Sequence, residues 1–296
     1  MRYACSMVNS KSFQLLITES LAIEAEQAKE AGALGFMARG LVQATMPHRD
    51  TGQSHHVRRN GDYSLIMAAG SPDVGLPYGS VPRLMLAWLA TEAVRTKERE
   101  LVLGDTMSMF MRELGLVPTG GRWGTITRLK DQSQRLFSAS IMCSYTSTNR
   151  DASEQFFIAD SKDLWWHTKE PKQAGLFQST VKLSERFYNE IVENPVPVDM
   201  RALKSLKQSP MALDIYCWLT YRMSYLKQTT AITWPQLQAQ FGAGYADNEN
   251  GIKNFQRSFT QQLKKVLVVY PEANIDTARG RLILKPSKPH VAKLKQ

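Results

Sequence analysis

One order of predicted elements recurs along this chain and limits the possible folds more than any other feature. Apolar spacing and turn residues predict a helix, a short strand-like step, two further helices and two strands around a polar tip. This order is predicted over residues 82–166 and again over residues 212–284. Two consecutive helices followed by a β-hairpin are typical of a winged helix, which is a helix-turn-helix with a β wing. We therefore predict an α+β fold, mostly α, with two tandem winged-helix (helix-turn-helix) domains.

Local signals predict where individual helices begin and end. In the first copy, Asp105 is predicted to cap the second helix, and the third helix is predicted over residues 122–138. In the second copy, Thr233 is predicted to cap a helix over residues 234–241 that Gly242 ends.

The chain of 296 residues is long enough for two domains, and its composition divides it into three parts. Residues 1–61 are predicted to be an N-terminal helical and loop appendage, and the polar segment 46–62 to be an exposed loop. Residues 62–195 are predicted to form the first winged-helix domain. Residues 196–296 are predicted to form the second winged-helix domain, which is basic and is joined to the first through Ile191–Pro197.

The net positive charge of the chain lies in its last third. Residues 201–296 contain 15 Lys and Arg against 5 Asp and Glu, whereas residues 1–200 contain 22 of each kind. A local surplus of this size indicates a polyanionic partner, of which nucleic acid is the first candidate. A solvated charged face is the alternative, so the pattern within the segment has to decide.

A long helix predicted over residues 252–269 has the pattern of a DNA-reading helix. Its apolar positions, spaced three and four residues apart, form one stripe: Ile252, Phe255, Phe259, Leu263 and Val266. The opposite face carries Lys253, Asn254, Arg257, Gln261 and Lys264. These side chains are of the types that bind base edges in the major groove and phosphates. Predicted contacts from the wing and beyond are Arg279, Arg281 and Lys285. The alternative for the helix is a surface made soluble by Lys and Gln.

The third helix of the first copy shows a weaker version of the same pattern. Its predicted inward side chains are Ile126, Leu129, Ser133, Leu136 and Phe137. Its candidate DNA contacts are Thr127, Arg128, Gln134 and Arg135, with Arg122 at the helix start behind two glycines. Because Asp131 interrupts this face and the domain is neutral, we expect DNA contact together with a larger share of protein–protein contact.

Motifs for the common catalytic classes are missing. A P-loop needs GxxxxGK[ST], which does not occur in the sequence. His55 and His56 are predicted to lie in a solvated loop, not in the metal site of a nicking enzyme. Tyr221 and Tyr225, one helical turn apart, are predicted to pack or to line a surface rather than to act as paired nicking tyrosines.

Metal and membrane signals are missing as well. Asp160 and Asp163 lack a third ligand, and three scattered cysteines have no CxxC spacing. No run of about 18 apolar residues occurs, so we expect no membrane partner. We expect a soluble cytoplasmic protein with no catalytic residues, no enzyme activity, no metal and no cofactor.

Residues 76–137, from LPYGSVPRLM to DQSQRLF, carry a specific resemblance. This string resembles the conserved block of the RepA-type replication initiators of bacterial plasmids. The strings QATMPHRD and RRNGDYSL are similar to the segment that precedes that block, and the resemblance covers most of residues 41–195. One departure is Trp123 in the GGxxG turn, where similar proteins commonly carry a basic or small residue.

The resemblance implies a theta-type initiator that binds direct repeats of the origin, called iterons, as double-stranded DNA. Such proteins open adjacent AT-rich DNA and bring in the host initiator and the replicative helicase. Related initiators dimerise through the first domain, bind the origin as monomers and often repress their own gene as dimers. The resemblance implies that the helix over 252–269 reads the iteron and that the first domain contacts the rest of the repeat or a partner subunit. A winged-helix transcriptional repressor without a replication role and a DNA-nicking initiator are the alternatives.

Overall fold

The computed structural model describes residues 11–164, 178–242, 244–278 and 280–292. Its helices are α1 (Lys11–Ala25), α2 (Arg39–Gln43), α3 (Ser80–Thr96), α4 (Met107–Glu113), α5 (Thr125–Ser138), α6 (Glu185–Glu193), α7 (Met200–Leu206), α8 (Pro210–Met223), α9 (Trp234–Phe241) and α10 (Glu249–Val269). Its strands are β1 (Leu34–Ala38), β2 (His55–Asn60), β3 (Tyr63–Ala68), β4 (Glu100–Val102), β5 (Ser140–Ser147), β6 (Arg150–Phe157), β7 (Ala159–Asp163), β8 (Thr180–Leu183), β9 (Pro195–Asp199), β10 (Thr230–Thr233), β11 (Ile275–Ala278) and β12 (Arg281–Leu284).

The chain divides into two compact units. The terminal unit comprises Met1–Gly35 and Val196–Gln296, and the central unit comprises Phe36–Pro195. The second crossing between the units thus falls after Pro195, where the sequence placed a domain boundary. The first crossing differs, because residues 1–61 are divided between the units instead of forming a separate appendage.

The N-terminal helix belongs to the terminal unit because its side chains and its backbone are both held there. α1 contacts α7 and α10, and its Leu16 and Ile23 are buried. Arg201 at the start of α7 donates hydrogen bonds to the carbonyl oxygens of Ala22 (3.3 Å) and Glu26 (2.7 Å). These long-range contacts leave no local sequence signature.

The terminal unit contains the predicted second series of elements in the predicted order. α8 leads through β10 to α9, then to α10 and to the β11–β12 hairpin. β12 pairs antiparallel with both β10 and β11, so it lies in the middle of a three-stranded sheet. The sheet therefore ties the hairpin to the strand that precedes α9.

The core of the terminal unit is built on the apolar stripe of α10. Phe255 and Phe259 are fully buried, and Phe259 packs edge-on against Trp234 and Phe241 at centroid distances of 6.0 and 5.4 Å. Buried aromatic side chains contribute most of the packing energy in cores of this size. α10 is therefore held in its orientation by aromatic contacts in the first half of its inner face.

The predicted ends of α9 are confirmed. The Thr233 hydroxyl accepts the backbone N–H of Gln236, and the Gln236 side chain accepts the backbone N–H of Thr233, which completes a capping box. The N–H of Gly242 bonds to the carbonyl of Gln238 at 2.7 Å. α10 begins at Glu249, three residues before the predicted start, because the Asn248 side chain caps it.

The central unit has two antiparallel sheets. One has the strand order β2–β3–β5–β6, and the other has the order β4–β8–β7. The β5–β6 hairpin, predicted as a wing, is thus joined to β3 and not to β4. Strand β4, which precedes α4, pairs with β8 from far along the chain.

Two predicted helix ends in the central unit are wrong. The cap of α4 is Thr106, whose hydroxyl accepts the N–H of Met109 at 3.1 Å, and not Asp105. Helix α5 begins at Thr125 and not at residue 122. The backbone of Gly121 has φ +88°, so the chain turns there before the helix can form.

The prediction that residues 46–62 form an exposed loop containing both histidines is also wrong. β2 runs through this segment and pairs with β3, and the His56 side chain is buried. Nε2 of His56 lies 2.8 Å from the carbonyl oxygen of Thr45. Burial lowers the pKa of His56 to about 4.

Among the described residues, no helix is long and apolar enough to cross a bilayer.

Candidate nucleic-acid interface

The outer face of α10 is the first candidate surface. The side chains predicted to point outward are all exposed: Lys253, Asn254, Arg257, Gln261 and Lys264. The opposite stripe is buried from Phe255 to Val266, and Ile252 at its start is half-buried. The predicted orientation of the helix is therefore confirmed, whereas DNA contact by these residues stays a prediction.

Internal contacts on this face are weak and exposed. Nζ of Lys253 lies 2.6 Å from Oε1 of Glu249, and Arg257 donates to Oδ1 of Asn254 at 3.4 Å. Exposed ion pairs are typically worth under about 1 kcal/mol. A phosphate can therefore replace either of these two contacts at little cost.

Glu249, exposed one turn before Lys253, was missed in the sequence because the predicted helix started three residues too late.

The β11–β12 hairpin and the segment after it provide a second set of basic side chains. Arg281 is exposed at the start of β12, opposite Ala278, whereas Arg279 lies outside the described residues. Lys285 is 44% exposed, with Nζ 3.9 Å from a carboxylate oxygen of Asp276 on β11. Asp276 lowers the positive charge around Lys285. The spacing of residues along the sequence did not show that the hairpin brings these two side chains together.

The two tyrosines at the end of α8 pack together, as predicted. The centroids of the Tyr221 and Tyr225 rings are 5.0 Å apart, and the rings meet edge to face. Arg222 stacks on the Tyr225 ring, with its guanidinium carbon 5.1 Å from the ring centroid, and donates a hydrogen bond to the Tyr225 hydroxyl at 2.8 Å. The hydroxyl of Tyr225 is thus held as an acceptor in a packed Arg–Tyr pair.

The outer face of α5 is the corresponding candidate in the central unit. The predicted inward residues Ile126, Leu129, Ser133, Leu136 and Phe137 are all buried. Arg122, Thr127, Arg128 and Gln134 are exposed, as predicted. The hydroxyl of Thr127 donates to the carbonyl of Gly121 at 2.9 Å, so it also holds the preceding turn.

Arg135, also predicted to look outward, is instead packed into the central unit. Its side chain is 16% exposed and bonds to carboxylates of Asp131 (3.0 Å) and Asp50 (3.4 Å). Its guanidinium also donates to the carbonyl oxygen of Leu76 and stacks on Tyr78. The guanidinium carbon lies 5.2 Å from the centroid of the Tyr78 ring. The segments around residues 50 and 76 cover this part of α5, so the prediction of an outward Arg135 is wrong.

Lys130 was not among the predicted contacts, and it is exposed on the outer face of α5 that carries Thr127 and Gln134. It lies three residues after Thr127 and four before Gln134, so helical spacing alone would have identified it. Lys130 and Arg128 give this face two exposed cations beside the single carboxylate of Asp131.

The turn before α5 is held by reciprocal hydrogen bonds. The N–H of Thr119 donates to the hydroxyl of Thr125 (2.9 Å), and the N–H of Thr125 donates to the hydroxyl of Thr119 (3.0 Å). A Cβ at Gly124 would lie 2.2 Å from the carbonyl oxygen of Thr119, so a side chain there would force the backbone to move. The turn therefore has a defined shape and presents Arg122 and Trp123.

Within the part of the chain that the structure describes, no group of three or more His, Cys, Asp or Glu residues is placed to hold a metal ion. The candidate surfaces consist instead of exposed cations and amides on helices α5 and α10 and on the β11–β12 hairpin. Such groups bind phosphates and base edges.

Among the solved structures that are similar to this fold are two of domains 2 and 3 of RctB. The first has a TM-score of 0.54 at 12% identity and covers 85% of this chain and 96% of the other. The second has a TM-score of 0.51 at 12% identity, with coverage of 83% and 96%. At this identity the likeness concerns the fold alone.

Sequence comparison identifies the family. A comparison with curated proteins gave no match. The sequence profile of the family described as plasmid encoded RepA protein matches residues 76–236, which is more than half of the chain. The match covers α3 to α8 and includes the block on which the resemblance was noted. The chain therefore belongs to the family of plasmid-encoded RepA proteins.

Proposed function

We propose that this protein initiates plasmid replication by binding iterons of the origin as double-stranded DNA. Bound protomers would open adjacent AT-rich DNA and recruit the host initiator and the replicative helicase, without an enzymatic step. Family membership over residues 76–236 supports the initiator role. The exposed face of α10 is the observation that carries sequence-specific binding.

The terminal unit is proposed to be a winged helix with α10 as its reading helix. The strand order β10–β12–β11 and the order of its helices support this assignment. Arg257 and Gln261 lie one turn apart on the exposed face, where an arginine suits guanine and an amide suits adenine. Lys253 and Lys264, on the same face, are suited to flanking phosphates.

The central unit is proposed to be a modified winged helix that contributes both DNA and protein contacts. Helices α4 and α5 follow one another as in a helix-turn-helix, and α5 exposes Arg128 and Lys130. Its hairpin β5–β6 is part of a four-stranded sheet with outer strands β2 and β6. The outer strands of a sheet are the places where strands of two copies can pair. We propose that a dimer forms through this unit, that iterons bind the monomer, and that the dimer represses its own gene.

A nuclease footprint on the DNA that flanks the gene tests this function. We expect regular protected blocks over direct repeats, each about two helical turns long, because two reading helices span a long asymmetric site. Protection of one inverted repeat at the promoter alone would instead identify a repressor.

A second assay tests the absence of an enzymatic step. The protein is incubated with supercoiled origin DNA and a divalent metal, and the products are separated under denaturing conditions. We expect unbroken DNA free of protein, and a covalent protein–DNA adduct would contradict the proposal.

A further inference from the structure

The turn before α5 ends in an exposed aromatic side chain. Trp123 is 81% exposed, more than any other large apolar side chain among the described residues. Leaving an indole ring in water forfeits the largest apolar burial that any side chain offers. Together with Arg122, this residue defines what we call the Arg122–Trp123 tip.

The tip is held in place by the turn beneath it. The Thr119–Thr125 hydrogen bonds and the close approach at Gly124 fix the backbone on both sides. The guanidinium carbon of Arg122 lies 5.1 Å from the centroid of the Trp123 ring. A cation stacked on one face of an aromatic ring stabilises its orientation and leaves the other face open for a further stacking partner.

The charges around the tip indicate the class of that partner. Residues 116–130 contain Arg122, Arg128 and Lys130 and no acidic residue, and all three basic side chains are exposed. A purely apolar partner would not need these cations, and a basic partner would be repelled by them. An exposed aromatic ring among basic side chains is the arrangement that binds unpaired nucleic-acid bases, since the ring stacks on the base and the cations contact the phosphates.

We propose that the Arg122–Trp123 tip binds single-stranded DNA, with Trp123 stacked on an unpaired base and Arg122 against a neighbouring phosphate. This inference rests on the proposed function, in which opening of the origin supplies the single strand. The tip would capture one strand as the duplex separates and so hinder its re-annealing. Stacking does not depend on base identity, so this contact adds little sequence preference.

The test measures binding of the full chain to a fluorescent oligothymidylate of about ten nucleotides. Trp123→Ala is expected to weaken binding about ten-fold, whereas Trp123→Phe retains an aromatic ring and loses less. Arg122→Ala should weaken binding and reduce its salt dependence. The matched control is Tyr225→Ala, which removes another exposed aromatic ring that carries a stacked arginine, Arg222, and should leave the affinity unchanged.

Tryptophan fluorescence provides a second readout. Stacking on a base quenches an indole, so addition of the oligonucleotide should quench the wild type more than Trp123→Phe. Equal affinity and equal quenching in the wild type and the Trp123 variants would overturn the proposal. An equal loss by Tyr225→Ala would overturn it too, because the effect would then not belong to the tip.

Duplex binding separates this proposal from the proposed function. Trp123→Ala should bind a duplex iteron with nearly wild-type affinity while losing single-strand binding. A parallel loss on duplex and single strand would assign Trp123 to general DNA contact and reject the proposal. A wild-type protein that binds no duplex repeat specifically would contradict the proposed function, whatever the oligothymidylate result.

Discussion

The hydroxyl oxygen of Tyr216 lies 2.7 Å from Nδ1 of His290. The same hydroxyl oxygen accepts the backbone N–H of Asp199 at 2.9 Å, which leaves the hydroxyl proton available to Nδ1 of a neutral imidazole. His290 also packs against the Tyr270 ring at a centroid distance of 5.0 Å. The segment after β12 is thereby attached to α8 in the terminal unit through a half-buried imidazole.

Acidification should therefore loosen this attachment. Burial lowers the pKa of His290 below its ordinary value of 6.5. The unfolded chain then binds the proton more readily than the folded one, so stability falls as the pH drops below about 6.5. Urea unfolding at pH 7.5 and 5 measures this loss. His290→Gln cannot gain the proton and should show a smaller difference, whereas an unchanged difference would contradict the assignment.

His56 should add a separate acid sensitivity to the central unit. Its pKa of about 4 in the folded protein lies below the ordinary 6.5, so protonation favours the unfolded state between these values. The unfolding free energy should fall by about 1.4 kcal/mol per pH unit in that window. Urea unfolding of His56→Gln over the same range should show a slope smaller by this amount, while the contribution of His290 remains. The control is His55→Gln, which changes the exposed neighbour on the same strand and should retain the wild-type slope.

Arg257 and Lys285 should differ in the kind of DNA binding that they support. Arg257→Ala or Gln261→Ala should cost about 1–3 kcal/mol on the specific repeat and relax the preference for it over random duplex. Lys285→Ala should weaken both complexes similarly and reduce the slope of log affinity against log salt by about one. Titrations of both duplexes at several salt concentrations distinguish the two outcomes. Equal losses on both duplexes for Arg257→Ala would remove it from the base-reading set.

Arg135 and Arg128, seven residues apart on α5, should respond in opposite ways to removal. Arg135→Ala breaks contacts to Asp50, Asp131 and Leu76 and should destabilise the protein by about 1–3 kcal/mol. Arg128→Ala should change stability by under about 0.5 kcal/mol but weaken DNA binding. Thermal unfolding and duplex titration of both variants test this pair. Loss of DNA affinity by a fully folded Arg135→Ala would reverse the assignment.

The elements whose signals are local were predictable. Thr233, Gln236 and Gly242 lie within ten residues of one another, and together they define α9 before any tertiary contact forms. The apolar stripe from Phe255 to Val266 likewise orients α10, because a helix with one apolar face has one way to bury it.

The exposure of the candidate site residues was predictable wherever local spacing alone decides it. The prediction failed where a distant segment of the chain covers the helix. Every candidate on α10 points outward, since no described segment of the terminal unit covers that face of the helix. On α5 the same periodicity could not place Arg135, because its burial depends on Asp50 and Tyr78, more than 50 residues away.

Sequence by itself determined the order of the elements, the inner faces of α5 and α10 and the family, because each depends on residues close together in the chain. Tertiary structure alone decided that α1 belongs with the terminal unit, that β4 pairs with β8, and that His56 is buried. These features depend on hydrogen bonds and packing between segments far apart in sequence. Such contacts are selected by the total burial and hydrogen bonding of the folded chain, which no local pattern encodes.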